Sequence, residues 1–158
     1  MCTTKDNPKS IAGVRKVCRQ FGAKLMDTRS ETMYHATLEA IENSKSEWLC
    51  FPNDDSYLMP LYSRIMIREA NRAGWDLVYT DVVYDPRMDK NYYKVFEVSP
   101  VAGRIDKICA MVRRSAFKGF PMIDHPQFWT MADGLFIRQM VKDGVAHGKV
   151  PGPMACHN

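Results

Sequence analysis

Two adjacent aspartates, Asp54 and Asp55, follow an apolar run from Trp48 to Phe51 in the stretch WLCFPNDDSYLMP. Carboxylates side by side repel, and strand interiors disfavour aspartate, so the pair asks for a partner. A hard divalent cation such as Mg2+ or Mn2+ takes oxygen ligands, and on a diphosphate it needs only one or two protein carboxylates. A polar turn is the alternative, because Asn, Asp and Ser all bond nearby backbone amides. Other positions carry the same double meaning. Asp6, in TKDNPKS, could accept a hydrogen bond from a base imide or simply belong to a loop ahead of a helix. Asp133, in WTMADGLF, stands near a helix start, where the dipole stabilises any carboxylate and where a general base could also take a hydroxyl proton. His157, in CHN, is either an exposed imidazole or the neutral nitrogen that closes a metal site. His35, His125 and His147 have no partners at ligand spacing and read as structural.

Positioning these groups requires a scaffold, and the apolar periodicity supplies one. Ile11, Val14, Cys18 and Phe21 share a helical face over 10–22, with Ser10 as start and Gly22 as stop. Ala23 to Met26 reads as a short strand, and a capping box at Thr28 and Glu31 predicts a helix over 31–43. Trp48 to Phe51 is a buried strand ending at Pro52. Pro60 suits a first helical turn, with the helix running to Asn71 and Gly74 as its stop. DLVYTDVVY (76–84), YYKVFEV (92–98) and ICAMV (108–112) are rich enough in β-branched and aromatic residues to be strands. SPVAGRID (99–106) is a loop, and residues 131–144 form a last helix stopped by Gly144. A short strand and a Pro/Gly-rich tail close the chain. The alternation predicts an α/β sheet with parallel strands early and mixed pairing later, and ligands gather beyond the carboxyl ends of such strands.

Bulk properties narrow the classes. The chain has 158 residues, 46% hydrophobic and 25% charged, which suits one globular domain with its own core. No apolar run approaches the roughly 20 residues that span a bilayer, and MCTTKDNPKS lacks the apolar stretch of a signal peptide, so a cytoplasmic protein is expected. Five scattered cysteines without a C-x-x-C pair argue for reduced thiols rather than a disulfide framework or structural zinc. A net charge of +4 suits anionic ligands such as nucleotides, but the basic residues are dispersed and no nucleic-acid module appears.

Taken in order, KDNPKS, TMYHATLEAIENSKSEWLCFPNDD, WDLVYTDVVY, MVRRSAFKGFPMID, FWTMADGLFIRQMVKDG and VPGPMACHN resemble the motif series of the family 2 inverting glycosyltransferases, which have the GT-A fold. The resemblance implies a GT-A-like mixed sheet flanked by helices in a single domain over 1–158, lacking the family's first strand and helix. It implies an enzyme that moves a sugar from a nucleotide-diphosphate donor, UDP being favoured, to the hydroxyl of a glycan or other acceptor. By the same resemblance Asp6, Arg29 and Asp54 would bind the nucleotide. Asp55 and His157 would hold Mn2+ or Mg2+, and Asp133 would be the catalytic base. The first carboxylate of the family's acidic pair is replaced here by Ala132. A non-catalytic nucleotide-binding remnant is therefore the competing expectation. A missing first strand would leave a sheet edge that could pair with another copy.

Overall fold

The computed structural model describes residues 8–26, 32–53, 56–84, 94–100, 104–121 and 132–157. These divide into two compact units, Met1–Lys45 and Ser46–Asn158.

The first unit holds two helices. Helix α1 (Pro8–Gln20) begins two residues before the expected Ser10, with proline in the first turn, where its missing N–H costs nothing. Gly22, at φ 65°, ends it as expected: Ala23 N–H donates to the Cys18 carbonyl at 2.8 Å and Gly22 N–H to Arg19. Residues 23–26 are not a strand, contrary to expectation. Helix α2 (Met33–Glu42) is capped by Thr32, whose hydroxyl accepts from His35 N–H at 3.2 Å and lies 2.7 Å from His35 Nδ1. The expected capping box at Thr28 and Glu31 lies outside the described residues. His35 is thus part of a helix cap, the structural role its sequence context suggested.

The second unit is a mixed six-stranded sheet with two helices. Its strands are β1 (Trp48–Cys50), β2 (Ser56–Leu58), β3 (Leu77–Tyr84), β4 (Lys94–Phe96), β5 (Ala110–Arg113) and β6 (His147–His157). The order is β1-β5-β3-β6-β2, with β4 on β3. Among the described residues β3 and β6 pair in parallel and the other pairings are antiparallel, so the sheet is mixed as expected but its early strands do not pair in parallel with one another. Strands β1 and β3 do point the same way, but β5 is inserted between them. The expected tail is also wrong: β6 runs eleven residues through KVPGPMACH. It accommodates Pro151-Gly152-Pro153 by a bulge opposite Thr80 and Asp81, with Gly152 at φ 82° and its carbonyl accepting from the Thr80 hydroxyl.

Helix α3 (Tyr62–Ala73) packs on β3, β5 and β6 and buries Tyr62, Met66 and Ala70, one turn apart on a single face. Its N-cap is Leu61 in the left-handed region at φ 65°, so the helix starts two residues after the expected Pro60. Gly74 and Gly144 end α3 and α4 (Ala132–Lys142) as their sequences predicted. Phe51, beyond β1, meets Phe117, Phe120 and Phe136 of α4 in a cluster with ring centroids 5.2–6.1 Å apart. Arg113 ties β5 to its neighbours: its guanidinium bonds Asp76 at 2.9 Å, Asn71 at 2.8 Å and Glu47, and lies 4.5 Å over the Trp48 ring. Among the described residues Cys18, Cys50, Cys109 and Cys156 are free thiols, and no helix is long and apolar enough to cross a membrane.

Candidate functional site

Strand β3 organises the candidate site because its two halves have different neighbours. Leu77–Tyr79 pair with β5 and Val82–Tyr84 with β4 on the same edge. The 3-10 turn at Lys107–Cys109, just ahead of β5, contacts β3, β6 and helix α4, whose first turn carries Asp133. The expected strand over 108–112 is thus half turn, half strand. Asp106 caps the turn, its carboxylate accepting from Ile108 N–H at 3.0 Å. Tyr62 donates its hydroxyl proton to the Ile108 carbonyl at 3.0 Å, fastening α3 to the same point.

Charged groups collect here, inside an apolar shell. Lys107 is 7% exposed, and its Nζ lies 3.8 Å from Asp133 Oδ1. Asp81, 8% exposed in the middle of β3, accepts from Val98 N–H at 2.8 Å and from Lys149 Nζ at 2.6 Å. Burial pushes the Cys109 thiol up to about 12, and the nearby carboxylates of Asp106, Asp81 and Asp133 push the same way. Burial likewise raises the Cys50 thiol to about 11 against the opposing hydrogen bond with Tyr62, and lifts the Tyr62 hydroxyl well above its ordinary value. These thiols are protonated and inert at neutral pH. The Tyr84 hydroxyl is raised first by burial and then by Asp106 and Cys109. Tyr84 also meets the His157 ring edge-on, with centroids 5.5 Å apart.

The turn Lys107–Cys109 contacts both α4, which carries Asp133, and β6, which ends at His157. Asp133 occupies the first turn of α4 with its side chain 21% exposed, so solvent reaches a carboxylate that the helix dipole and Lys107 both favour. His157 is not in a tail but ends β6, paired across the ladder with Ser56 on one side and Tyr84 on the other. Its Nδ1 lies 2.9 Å from Ser56 Oγ. Asp6, Arg29, Asp54 and Asp55 lie outside the described residues. Of the described flanks, Cys50 ends β1 at one end of the strand order, while Ser56 opens β2 at the other and pairs with His157.

Among the described residues no group of three or more His, Cys, Asp and Glu side chains is arranged to hold a metal. Histidine nitrogen is a donor that Mn2+ accepts, and His157 is held by its Nδ1 2.9 Å from Ser56 Oγ. An imidazole nitrogen with a carboxylate oxygen from Asp55 and diphosphate oxygens is a donor set that Mn2+ accepts well. Asp81, Asp106 and Lys107 were missed as site neighbours by sequence reasoning. Their signal was a charged residue inside or directly before an apolar run, LVYTDVVY and DKICAMV, which demands a buried partner. No protein-family model matches the chain, and no curated protein matches it.

Proposed function

We propose that this chain is a metal-dependent inverting glycosyltransferase with a GT-A-like sheet, acting on a nucleotide-diphosphate sugar. One observation supports the proposal: the turn Lys107–Cys109 contacts both β6, the strand that ends at His157, and α4, whose first turn carries Asp133, with Lys107 Nζ 3.8 Å from Asp133 Oδ1. The ordered motif series from KDNPKS to VPGPMACHN supports it independently. Asp133 would accept the proton of the acceptor hydroxyl. The acceptor oxygen then forms its bond to the anomeric carbon from one face while the bond to the diphosphate oxygen breaks on the other, its electron pair leaving with the diphosphate. Asp6, Arg29 and Asp54 would hold the nucleotide, and Asp55 and His157 the divalent ion. That ion, when bound, neutralises the charge of the departing diphosphate.

Calorimetric titration of UDP, GDP and dTDP, with and without Mn2+, tests the donor site on the parent chain and on Asp55→Ala. Manganese-dependent binding of one nucleotide, lost in Asp55→Ala, is expected. Asp133→Asn should keep that binding and lose transfer by about 10²–10⁴-fold in kcat. Undiminished transfer in Asp133→Asn removes Asp133 as the base. Intact metal and nucleotide binding with no transfer from any nucleotide sugar favours a non-catalytic nucleotide-binding protein. The substitution of the first acidic position by Ala132 is the feature that points that way.

A further inference from the structure

Between β2 and α3 the chain runs Tyr57-Leu58-Met59-Pro60-Leu61, and all five residues are exposed. Tyr57 is 58% exposed and Leu61 61%. A run of more than about three or four exposed apolar residues is a liability for a free-standing fold unless the surface is used. The segment is not a frayed end. Met59 N–H donates to the Met154 carbonyl of β6 at 2.9 Å, and Tyr62 N–H donates to the Met59 carbonyl at 3.0 Å. Its last residue is also held against its own preference. Leu61 caps α3 at φ 65°, a left-handed conformation that a side chain resists, while burying little of that side chain in return. Packing among the described residues accounts for neither the exposure nor the leucine.

The helix that follows carries charge on the matching side. Tyr62, Met66 and Ala70 are its buried row, and Arg64, Arg68 and Arg72 form an exposed row at the same spacing. An offset of two residues turns about 200° around a helix, so the arginines line the face opposite the sheet. Leu61 precedes Arg64 by three residues and Arg68 by seven, which puts it at the head of that row. Glu69 is paired with Arg68 at 2.9 Å and with Arg72 at 3.0 Å, and three arginines against one glutamate leave α3 with a net charge of +2. An arginine row suits many polyanions, but the aliphatic side chains at its head select among them. A nucleic acid offers phosphate without hydrocarbon, whereas an anionic bilayer offers both within about 5–10 Å of depth. The tyrosine, apolar in body and polar at its tip, suits the level of the headgroups.

We infer that residues 57–61 and the row Arg64, Arg68 and Arg72 form a docking surface for an anionic lipid bilayer. The apolar segment enters the boundary between headgroups and acyl chains, and the arginines meet the anionic headgroups. Helix α3 itself stays on the sheet, because its apolar face is already buried there. Docking is therefore peripheral and reversible, and salt weakens it by screening the exposed arginines. Sugar transfer is not required for it, so vesicle binding and the transferase reading stand or fall separately.

Co-sedimentation of the full chain with vesicles tests the surface, using phosphatidylcholine with about one-third phosphatidylserine, and phosphatidylcholine alone, at low and high salt. The parent chain should bind the anionic vesicles, bind phosphatidylcholine alone at least about tenfold more weakly, and be released by salt. Leu61→Gly, which keeps the left-handed cap, should weaken binding about ten- to a hundredfold, the effect of losing one buried leucine. Arg64→Gln/Arg68→Gln should weaken it about 20- to 30-fold, at roughly fivefold for each charge near the surface. Arg138→Gln/Lys142→Gln removes the same charge from exposed positions one turn apart on α4 and should leave binding within about twofold. No binding to anionic vesicles overturns the inference. So does binding that Leu61→Gly or the α3 arginine pair leaves unchanged, or that the α4 pair weakens equally. Sedimentation velocity and an oligonucleotide gel shift on the same variants separate the other occupants. A dimer dissolved by Leu61→Gly, or oligonucleotide binding lost with the α3 arginines and kept in Leu61→Gly, each without vesicle binding, overturns the lipid assignment and gives the surface to that partner.

Discussion

Gly148 offers the sharpest mechanical test of the sheet that carries the site. It sits in β6, paired in parallel with Val78 of β3, and its backbone is one that alanine adopts without strain. A Cβ added there would nevertheless lie 2.1 Å from Cε2 and Cζ2 of Trp75 and 2.4 Å from Cη2. Ordinary contact begins at 3.4 Å, so the indole must retreat by more than an ångström. Its backbone cannot follow easily: Trp75 N–H donates to the Ala70 carbonyl at 2.9 Å directly after the Gly74 cap. Either β6 moves off β3 or the ring swings into solvent. Giving up roughly 100 Å² of indole burial at about 25 cal/mol per Å² costs about 2.5 kcal/mol, within the usual range for overpacking. For a chain of this length Gly148→Ala should therefore lower Tm by about 5–10 °C. Urea unfolding followed by far-UV circular dichroism and tryptophan fluorescence measures the loss. The mechanism is isolated by repeating the substitution in Trp75→Ala, where Gly148→Ala should cost under about 0.5 kcal/mol. Additive losses in the double variant, or no loss in the parent background, would refute the steric account.

Other expectations follow from the same structure. Leu61→Gly should stabilise the chain by about 0.5–1 kcal/mol in urea unfolding, because Leu61 is 61% exposed and holds a left-handed conformation that glycine adopts freely. A loss of stability there would show that the leucine side chain is needed for packing. Alkaline pH should destabilise the fold. The Cys50 and Cys109 thiols ionise near 9.0 when unfolded but only near about 11 and about 12 when folded. Between those values the native state holds protons that the unfolded chain has released. Their contribution is therefore complete below pH 9 and is lost as pH rises, by about 1.4 kcal/mol per pH unit for each thiol, with Tyr62 adding in the same direction above pH 10. Unfolding free energies at pH 8, 9, 10 and 10.5 check this, and Cys109→Ala should flatten the slope whatever it does to the absolute stability. An equal slope in the variant would remove Cys109 as a contributor.

What could be read from the sequence was whatever local chemistry decides. Gly22, Gly74 and Gly144 stop their helices because only a residue without Cβ enters the left-handed region cheaply, and that preference needs no knowledge of the rest of the fold. LVYTDVVY declared itself a strand by composition, whereas the helix faces did not follow from spacing alone: Phe21 and Leu61 are exposed, and α3 buries Tyr62, Met66 and Ala70 instead. Asp133 at a helix start and His157 near a structural end were visible as positions. Their neighbours were not, because these depend on contacts between residues far apart in the chain. The insertion of β5 between β1 and β3, the pairing of His157 with both Ser56 and Tyr84, and the approach of Lys107 to Asp133 span 26 to 101 residues of sequence. No local pattern encodes such pairings. They are selected by which arrangement buries the phenylalanine cluster, satisfies the strand ladders and pairs each buried charge. Thus composition and capping determined the elements and named the candidate chemistry, whereas only the tertiary structure decided that β6 continues through its prolines as a strand and that a buried lysine attends Asp133. The physical reason is that backbone preferences act within a turn or two, while the balance of burial against charge desolvation is settled only when distant segments meet.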